Sequence, residues 1–173
     1  MRRTWPFTAA ILAITSIASI AQAGRPPQLS PEYKKWLDED VRWIMTSQER
    51  QQFLNLTSVH DRDDFVARFW DERNPTPGSK ENAFKEEHYR RLAFANEHFA
   101  SAVAGWRTDR GRIYIVYGPP DSIAVQPGTS AAPAEEIWLY HHMQREGDDV
   151  RLKFVDSCRC GGYELETALP NHE

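Results

Sequence analysis

The sequence predicts an α+β fold, with about four helices in the N-terminal half packed on a small antiparallel sheet of three to four strands. Two patterns predict it. Up to about residue 99, apolar residues recur at the three- and four-residue spacing of helix faces. Beyond Gly105, short runs of β-branched and aromatic residues alternate with Gly, Pro and Asp turns. Helices first and hairpin-linked strands afterwards is the order of an α+β domain, not of alternating βαβ units.

Ser30-Pro31-Glu32 opens the first helix. It offers a capping hydroxyl, a proline where no N–H is needed, and an acid near the positive end of the helix dipole. Tyr33, Trp36, Leu37, Val41 and Ile44 form the apolar stripe of that helix. Thr46-Ser47-Gln48-Glu49 has the spacing of a capping box, which would stop the first helix and open a second with Phe53 and Leu54 inward. The acids from Asp61 to Asp64 begin a third helix, whose buried side is Phe65, Val66, Phe69 and Trp70. Asn74-Pro75-Thr76-Pro77-Gly78 breaks the chain, because both Pro and Gly oppose helix continuation. A long fourth helix is predicted over about 79–99, with Phe84, His88, Leu92, Ala95 and Phe99 on one face. Gly105 is expected to end it with a positive φ. Arg112 to Tyr117 reads as the first strand, Ser122 to Ala134 as a polar loop, and Ile137 to His142 as the second strand. Glu146 to Asp149 reads as a turn, Val150 to Val155 as the third strand, and Tyr163 to Thr167 as the fourth, after the Gly161-Gly162 turn.

Residues 1–23 read as a secretion signal peptide. Arg2 and Arg3 precede an apolar stretch from Phe7 to Ile20, and Ala21-Gln22-Ala23 supplies a small-x-small cleavage pattern. The stretch is short of the roughly 20 apolar residues that a membrane span needs, so no stable span is expected after cleavage. Residues 24–30 read as a flexible lead-in, 31–167 as a single domain and 168–173 as a tail. Cleavage after Ala23 would leave 150 of the 173 residues, enough to bury a core without help from metal or disulfides. It would also move the net charge from −4 to −6, since the leader holds two arginines and no acid. A mildly acidic chain argues against non-specific binding to nucleic acid or to an anionic membrane. The expected location is periplasmic or secreted.

One run is more specified than packing requires: Gly105-Trp106-Arg107-Thr108-Asp109, followed by Arg110-Gly111-Arg112 and by Tyr117-Gly118-Pro119-Pro120-Asp121. It resembles the signature of the bacterial GWxTD-domain family. Glu136-Ile137-Trp138 and Phe154-Val155-Asp156 resemble the later blocks of that family. Upstream, Phe69-Trp70, the Asn74 to Gly78 break, Tyr89-Arg90-Arg91 and Ala95-Asn96 are also similar to it. The resemblance covers roughly residues 33–165 and implies an exported bacterial domain of unknown function, with no catalytic residue or cofactor to carry over. The Cys158-Arg159-Cys160 segment is not part of it.

Read as physics, the run has two accounts. In the first it is a helix-to-sheet joint. Trp106 folds back as an apolar plug, while Thr108 and Asp109 bond backbone N–H groups in a tight turn. Asp109 pairs with an arginine such as Arg112, and the Gly118 to Asp121 turn pins the strand exit. In the second it is a site. Trp106, Thr108, Asp109, Arg110, Tyr117 and Asp121 ring one end of the sheet and bind a ligand or a peptide. Asp109 and Asp121 could also serve as a carboxylate pair for hydrolysis, with Arg110 stabilising developing negative charge.

Cys158 and Cys160 have one residue between them. A direct bridge would close a very small ring and be readily reduced. An intermolecular bridge, or two thiolates joining His141 or His142 around zinc, are the alternatives, although the spacing is not that of a zinc pair. His88, on the apolar face of the fourth helix, reads as a satisfied core residue. Arg90, Arg91, Arg107, Arg110 and Arg112 read as a salt-bridged surface. No phosphate loop, metalloprotease motif or nucleophile triad stands out, so no cofactor is expected. Three functions remain open: a module binding an envelope protein or peptide, an enzyme using Asp109 and Asp121, and a purely structural domain.

Overall fold

The protein is described by a computed structural model covering residues 28–167. The expected signal peptide, most of the lead-in and the tail lie outside the described residues. The elements run α1 (Pro31–Lys35), a π turn (Trp36–Asp40), α2 (Ser47–Asn55), α3 (Val59–Asp71), α4 (Ala83–His98), a 3-10 turn (Gly105–Arg107) and α5 (Asp109–Tyr117). The strands β1 (Ser122–Gln126), β2 (Ala134–Met143), β3 (Gly147–Asp156) and β4 (Glu164–Leu165) follow. They form one antiparallel meander in the order β1-β2-β3-β4. The fold is therefore α+β, and its helices come before its sheet.

The helix starts are those that the caps dictate. The Ser30 hydroxyl accepts from Tyr33 N at 3.4 Å, and Pro31 takes the first helical position. Thr46 and Glu49 form the reciprocal capping box, with Glu49 N on the Thr46 hydroxyl at 3.2 Å and Thr46 N on the Glu49 carboxylate at 2.8 Å. Ser58 caps α3 through Asp61 N at 3.0 Å, and Asn82 caps α4 through Lys85 N at 3.0 Å.

Six expectations are corrected. The segment 112–117 is helix, not strand. Its Ile-Tyr-Ile-Val run has strand propensity, but Ile113, Tyr114 and Ile115 are all buried, and an all-round buried helix shows no periodicity to tell it from a buried strand. Thr108 decides the outcome by capping Gly111 N at 3.0 Å and accepting Arg112 N on its carbonyl at 2.9 Å. The first strand lies instead at 122–126, inside the segment expected to be a loop. Leu54 is 36% exposed and does not share the core with Phe53. The first helix is a short α turn continued by the π turn that ends at Val41, and α4 occupies only Ala83–His98 of the predicted 79–99. Gly105 does not terminate α4 with a positive φ, since it opens the 3-10 turn in an ordinary conformation.

Two hydrophobic clusters result. Trp36, Leu37, Val41, Phe53, Phe65, Phe69 and Trp70 pack among the first three helices. Leu92, Ala95, Phe99 and the buried face of α5 pack on Trp138, Tyr140, Leu152 and Phe154 of the sheet. Tyr89 on α4 touches both clusters. Register places Trp138 opposite Leu152, and Phe154 opposite Leu165. Among the described residues no helix is long and apolar enough to cross a membrane.

Candidate functional site

The joint between α4, α5 and the sheet is built on two close backbone approaches. A Cβ on Gly105 would sit 1.8 Å from the Ala95 carbonyl oxygen, so the 3-10 turn lies directly on the α4 backbone. A Cβ on Gly111 would sit 1.9 Å from the Gly105 carbonyl oxygen. Absence of a side chain, not left-handed backbone, is what both positions need. Thr108 locks the stack. Its hydroxyl donates to Gly105 O at 2.8 Å and accepts from Gly111 N at 3.0 Å, so one side chain caps α5 and ties it to the preceding turn.

Each polar member of the motif is committed to the fold. Asp109 accepts the Leu165 amide at 2.8 Å, which anchors β4, and its other oxygen lies 3.6 Å from the Arg112 guanidinium. Arg110 is 9% exposed; it donates to Glu136 at 3.0 Å and to Gly161 O at 3.2 Å, and lies 4.1 Å from the Tyr163 ring. The second Glu136 oxygen accepts the Trp138 indole N–H at 3.0 Å, so an Arg110–Glu136–Trp138 network joins α5 to β2. The Tyr117 hydroxyl donates to Glu146 at 3.1 Å; burial first, then that carboxylate, hold its pKa well above the ordinary phenol range. Asp121 accepts the His141 amide at 2.6 Å and pins the start of β1. Asp109 is the first residue of the nine-residue α5, which is about 13 Å long, and Asp121 lies beyond its other end. Paired carboxylates of a glycosidase stand roughly 5–9.5 Å apart.

The joint opens to solvent at Trp106. Its amide donates to the Asn96 side chain at 3.0 Å and its carbonyl accepts the Trp43 indole N–H at 2.8 Å, so the two tryptophans are locked together. Trp106 is half-buried: it packs on the core at one side and lines a cleft at the other. The cleft measures about 450 Å³, and Asp38, Glu39, Arg42, Trp43, Trp106 and Arg107 line it. The Arg42 guanidinium lies 5.2 Å from the Trp43 ring and that of Arg107 lies 5.8 Å from the Trp106 ring. Among the described residues neither guanidinium has a carboxylate partner. Asp38 does have partners. Burial would raise its pKa, but Arg50 at 2.6 Å and Lys34 hold the carboxyl below its ordinary value.

A family model described as the GWxTD domain matches residues 16–166. The chain belongs to the GWxTD domain family. That family has no established function. No curated protein and no solved structure matches this GWxTD domain.

The other candidates of the GWxTD domain fall into place separately. Cys158 and Cys160 form an intrachain disulfide in the turn after β3. His141 and His142 lie on β2 and engage Asp149 at 2.9 Å and Asp148 at 2.8 Å, near the start of β3. The histidines and the cysteines are thus at opposite ends of a ten-residue strand, roughly 30 Å apart, and do not assemble into one site. His88 is 3% exposed and donates its Nε2–H to Asp40 O at 2.6 Å, as a satisfied core residue does. Arg90 and Arg91 both pair with Glu87. The joint brings Trp106, Thr108, Asp109 and Arg110 together, whereas Tyr117 and Asp121 lie at the far end of α5. Arg42 and Trp43 were not legible as site residues. The signal available was a tryptophan lying off the apolar stripe of the first helix.

Proposed function

We propose that this GWxTD domain is an exported binding or assembly module of the cell envelope, and that it recognises a carboxylate-bearing segment of a protein or peptide in the Trp43–Trp106 cleft. The observation that carries this reading is the pair of guanidiniums, Arg42 and Arg107, each laid on a tryptophan and each without a carboxylate among the described residues. A guanidinium fork matches a carboxylate with two parallel hydrogen bonds, and the rings beside it supply apolar contact. Glu39, on the same wall, is placed to accept an N–H from the same segment. Export rests on the leader pattern of residues 1–23.

A native pull-down from envelope extracts tests this, using wild type and an Arg42→Ala/Arg107→Ala double variant. Wild type is expected to retain a partner that the variant releases, with affinity lower by at least about tenfold for the loss of two charge-assisted contacts. Equal capture by both proteins would remove the cleft from consideration.

A purely structural domain is the second reading. It is supported by the engagement of Thr108, Asp109, Arg110 and Asp121 in the joint, and it would stand if neither protein captured anything. Hydrolysis by Asp109 and Asp121 has the least support, because each carboxylate already serves a backbone amide and α5 lies between them. A substrate screen of wild type against Asp109→Asn checks it.

A further inference from the structure

The turn after β3 bridges Cys158 and Cys160 across a single residue, Arg159, and both cysteines are exposed. Arg159 is held at φ 57°, a left-handed backbone that non-glycine residues seldom adopt. Asp156 lies beneath them, 7% exposed. One of its carboxylate oxygens accepts Cys160 N at 3.0 Å and lies 3.3 Å from Cys158 Sγ. The other accepts Gly161 N at 2.9 Å. Asp156 therefore holds two backbone amides of this turn through bonds that do not involve the sulfurs. A bridge over so short a loop also removes little entropy from the unfolded chain. A solvent-facing disulfide that adds little stability and spans a residue in a disfavoured conformation belongs with labile bridges, not structural ones.

We propose that Cys158–Cys160 is a redox-active pair that oxidises the dithiol of a thiol-bearing protein by thiol–disulfide exchange. A thiolate of the partner attacks Cys158 Sγ. The intermolecular S–S bond forms, the Cys158–Cys160 bond breaks, and Cys160 leaves as a thiolate and takes a proton. Asp156 biases this order: its carboxylate contacts Cys158 Sγ at 3.3 Å and has Cys160 Sγ within 4.8 Å, so it disfavours a thiolate most at Cys158 and leaves Cys160 the better leaving group. The partner's second thiolate then attacks the partner sulfur of the mixed disulfide. The partner departs with its own disulfide, and Cys158 leaves and takes a proton. Two electrons have passed from the partner dithiol to the pair, which ends as two thiols and is reoxidised by a second disulfide, such as oxidised glutathione. The same carboxylate slows the release of Cys158, so the mixed disulfide that accumulates is on Cys158.

The purified protein is incubated with graded ratios of reduced to oxidised glutathione, quenched with acid, alkylated and weighed, with folded ribonuclease in the same tube. The pair is expected to open at a reduced-glutathione level at least about tenfold below that needed for the ribonuclease bridges. The glutathione adduct should map to Cys158, and circular dichroism should show the reduced protein still folded. In a second arm, the protein is expected to speed disulfide formation in reduced, unfolded ribonuclease beyond glutathione alone, while Cys158→Ser/Cys160→Ser does not. A bridge as resistant as those of ribonuclease overturns the proposal, as does a wild-type protein that leaves the oxidation rate unchanged. The first arm needs no variant, so misfolding of the double variant would not obscure it.

Discussion

Asp109 shows how one side chain can look like a site and serve as an anchor. Its carboxylate receives the Leu165 amide at 2.8 Å and faces Arg112 at 3.6 Å, at the first position of α5. Charge-assisted hydrogen bonds contribute about 1.5–3 kcal/mol each. Asp109→Ala is therefore expected to lower unfolding stability by about 2 kcal/mol in urea titration. Asp109→Asn, whose amide oxygen still accepts Leu165 N–H, is expected to lose about half of that. An Asp109→Ala protein within about 0.5 kcal/mol of wild type would show that the carboxylate is not held for the fold. His88 makes a second residue-scale prediction. Burial first lowers its pKa from 6.5, with Arg91 and Arg73 acting in the same sense and Asp40 opposing. The folded state thus binds its proton less readily than the unfolded state. Stability contributed by neutral His88 is present above pH 6.5 and declines as pH falls below it. Exposed His141, raised by its hydrogen bond to Asp149, works in the opposite direction, so the raw curve mixes the two. Comparing urea midpoints at pH 7.5 and 5.5 for wild type and His88→Gln isolates the effect, and the variant is expected to show the smaller drop.

Among the elements, α5 is the instructive one. Its Ile113 to Tyr117 run is β-branched and aromatic, yet it is a helix, because Thr108 caps it and Gly105 and Gly111 let it approach α4. Thr108→Ala removes both the cap and the bond to Gly105 O, and is expected to lower stability by about 2 kcal/mol. Thr108→Ser keeps the hydroxyl and should stay within about 0.5 kcal/mol of wild type. Thermal unfolding of the pair measures this. A Ser variant as weak as the Ala variant would mean that the methyl group, not the cap, matters. The helix starts at Ser30 and Thr46 were legible because a cap is local: donor, acceptor and spacing all lie within four residues. The choice between helix and strand at 112–117 was not legible, since both bury the same apolar side chains. Strand β1 was missed for a related reason. All five of its residues are exposed, so it carries no burial pattern, and only pairing with β2 makes it a strand.

At the scale of the whole molecule, two aromatic clusters meet along α4, where Trp70 packs on His88 and Tyr89. Tyr89 packs against both, and the Trp43–Trp106 bond at 2.8 Å ties the first helical segment to the joint. Wild type is expected to unfold in one transition seen alike by tryptophan fluorescence and far-UV circular dichroism. Tyr89→Ala, which removes the shared ring, is expected to separate the two curves, with the N-terminal helices melting first because only helices cover them. Coincident curves in the variant would show that the remaining contacts suffice to couple the halves. The sequence by itself determined the α+β class, the caps at Ser30 and Thr46, the break at Asn74 to Gly78, the strands at 137–142 and 150–155, and membership of the GWxTD family. These depend on neighbours in the chain and on the period of apolar residues. Only the tertiary structure decided that 112–117 is a helix, that Gly105 and Gly111 serve close approach, and that Arg42 and Trp43 face Trp106 across more than sixty residues of chain. Those outcomes depend on which surfaces meet, and no local pattern encodes a meeting between segments so far apart.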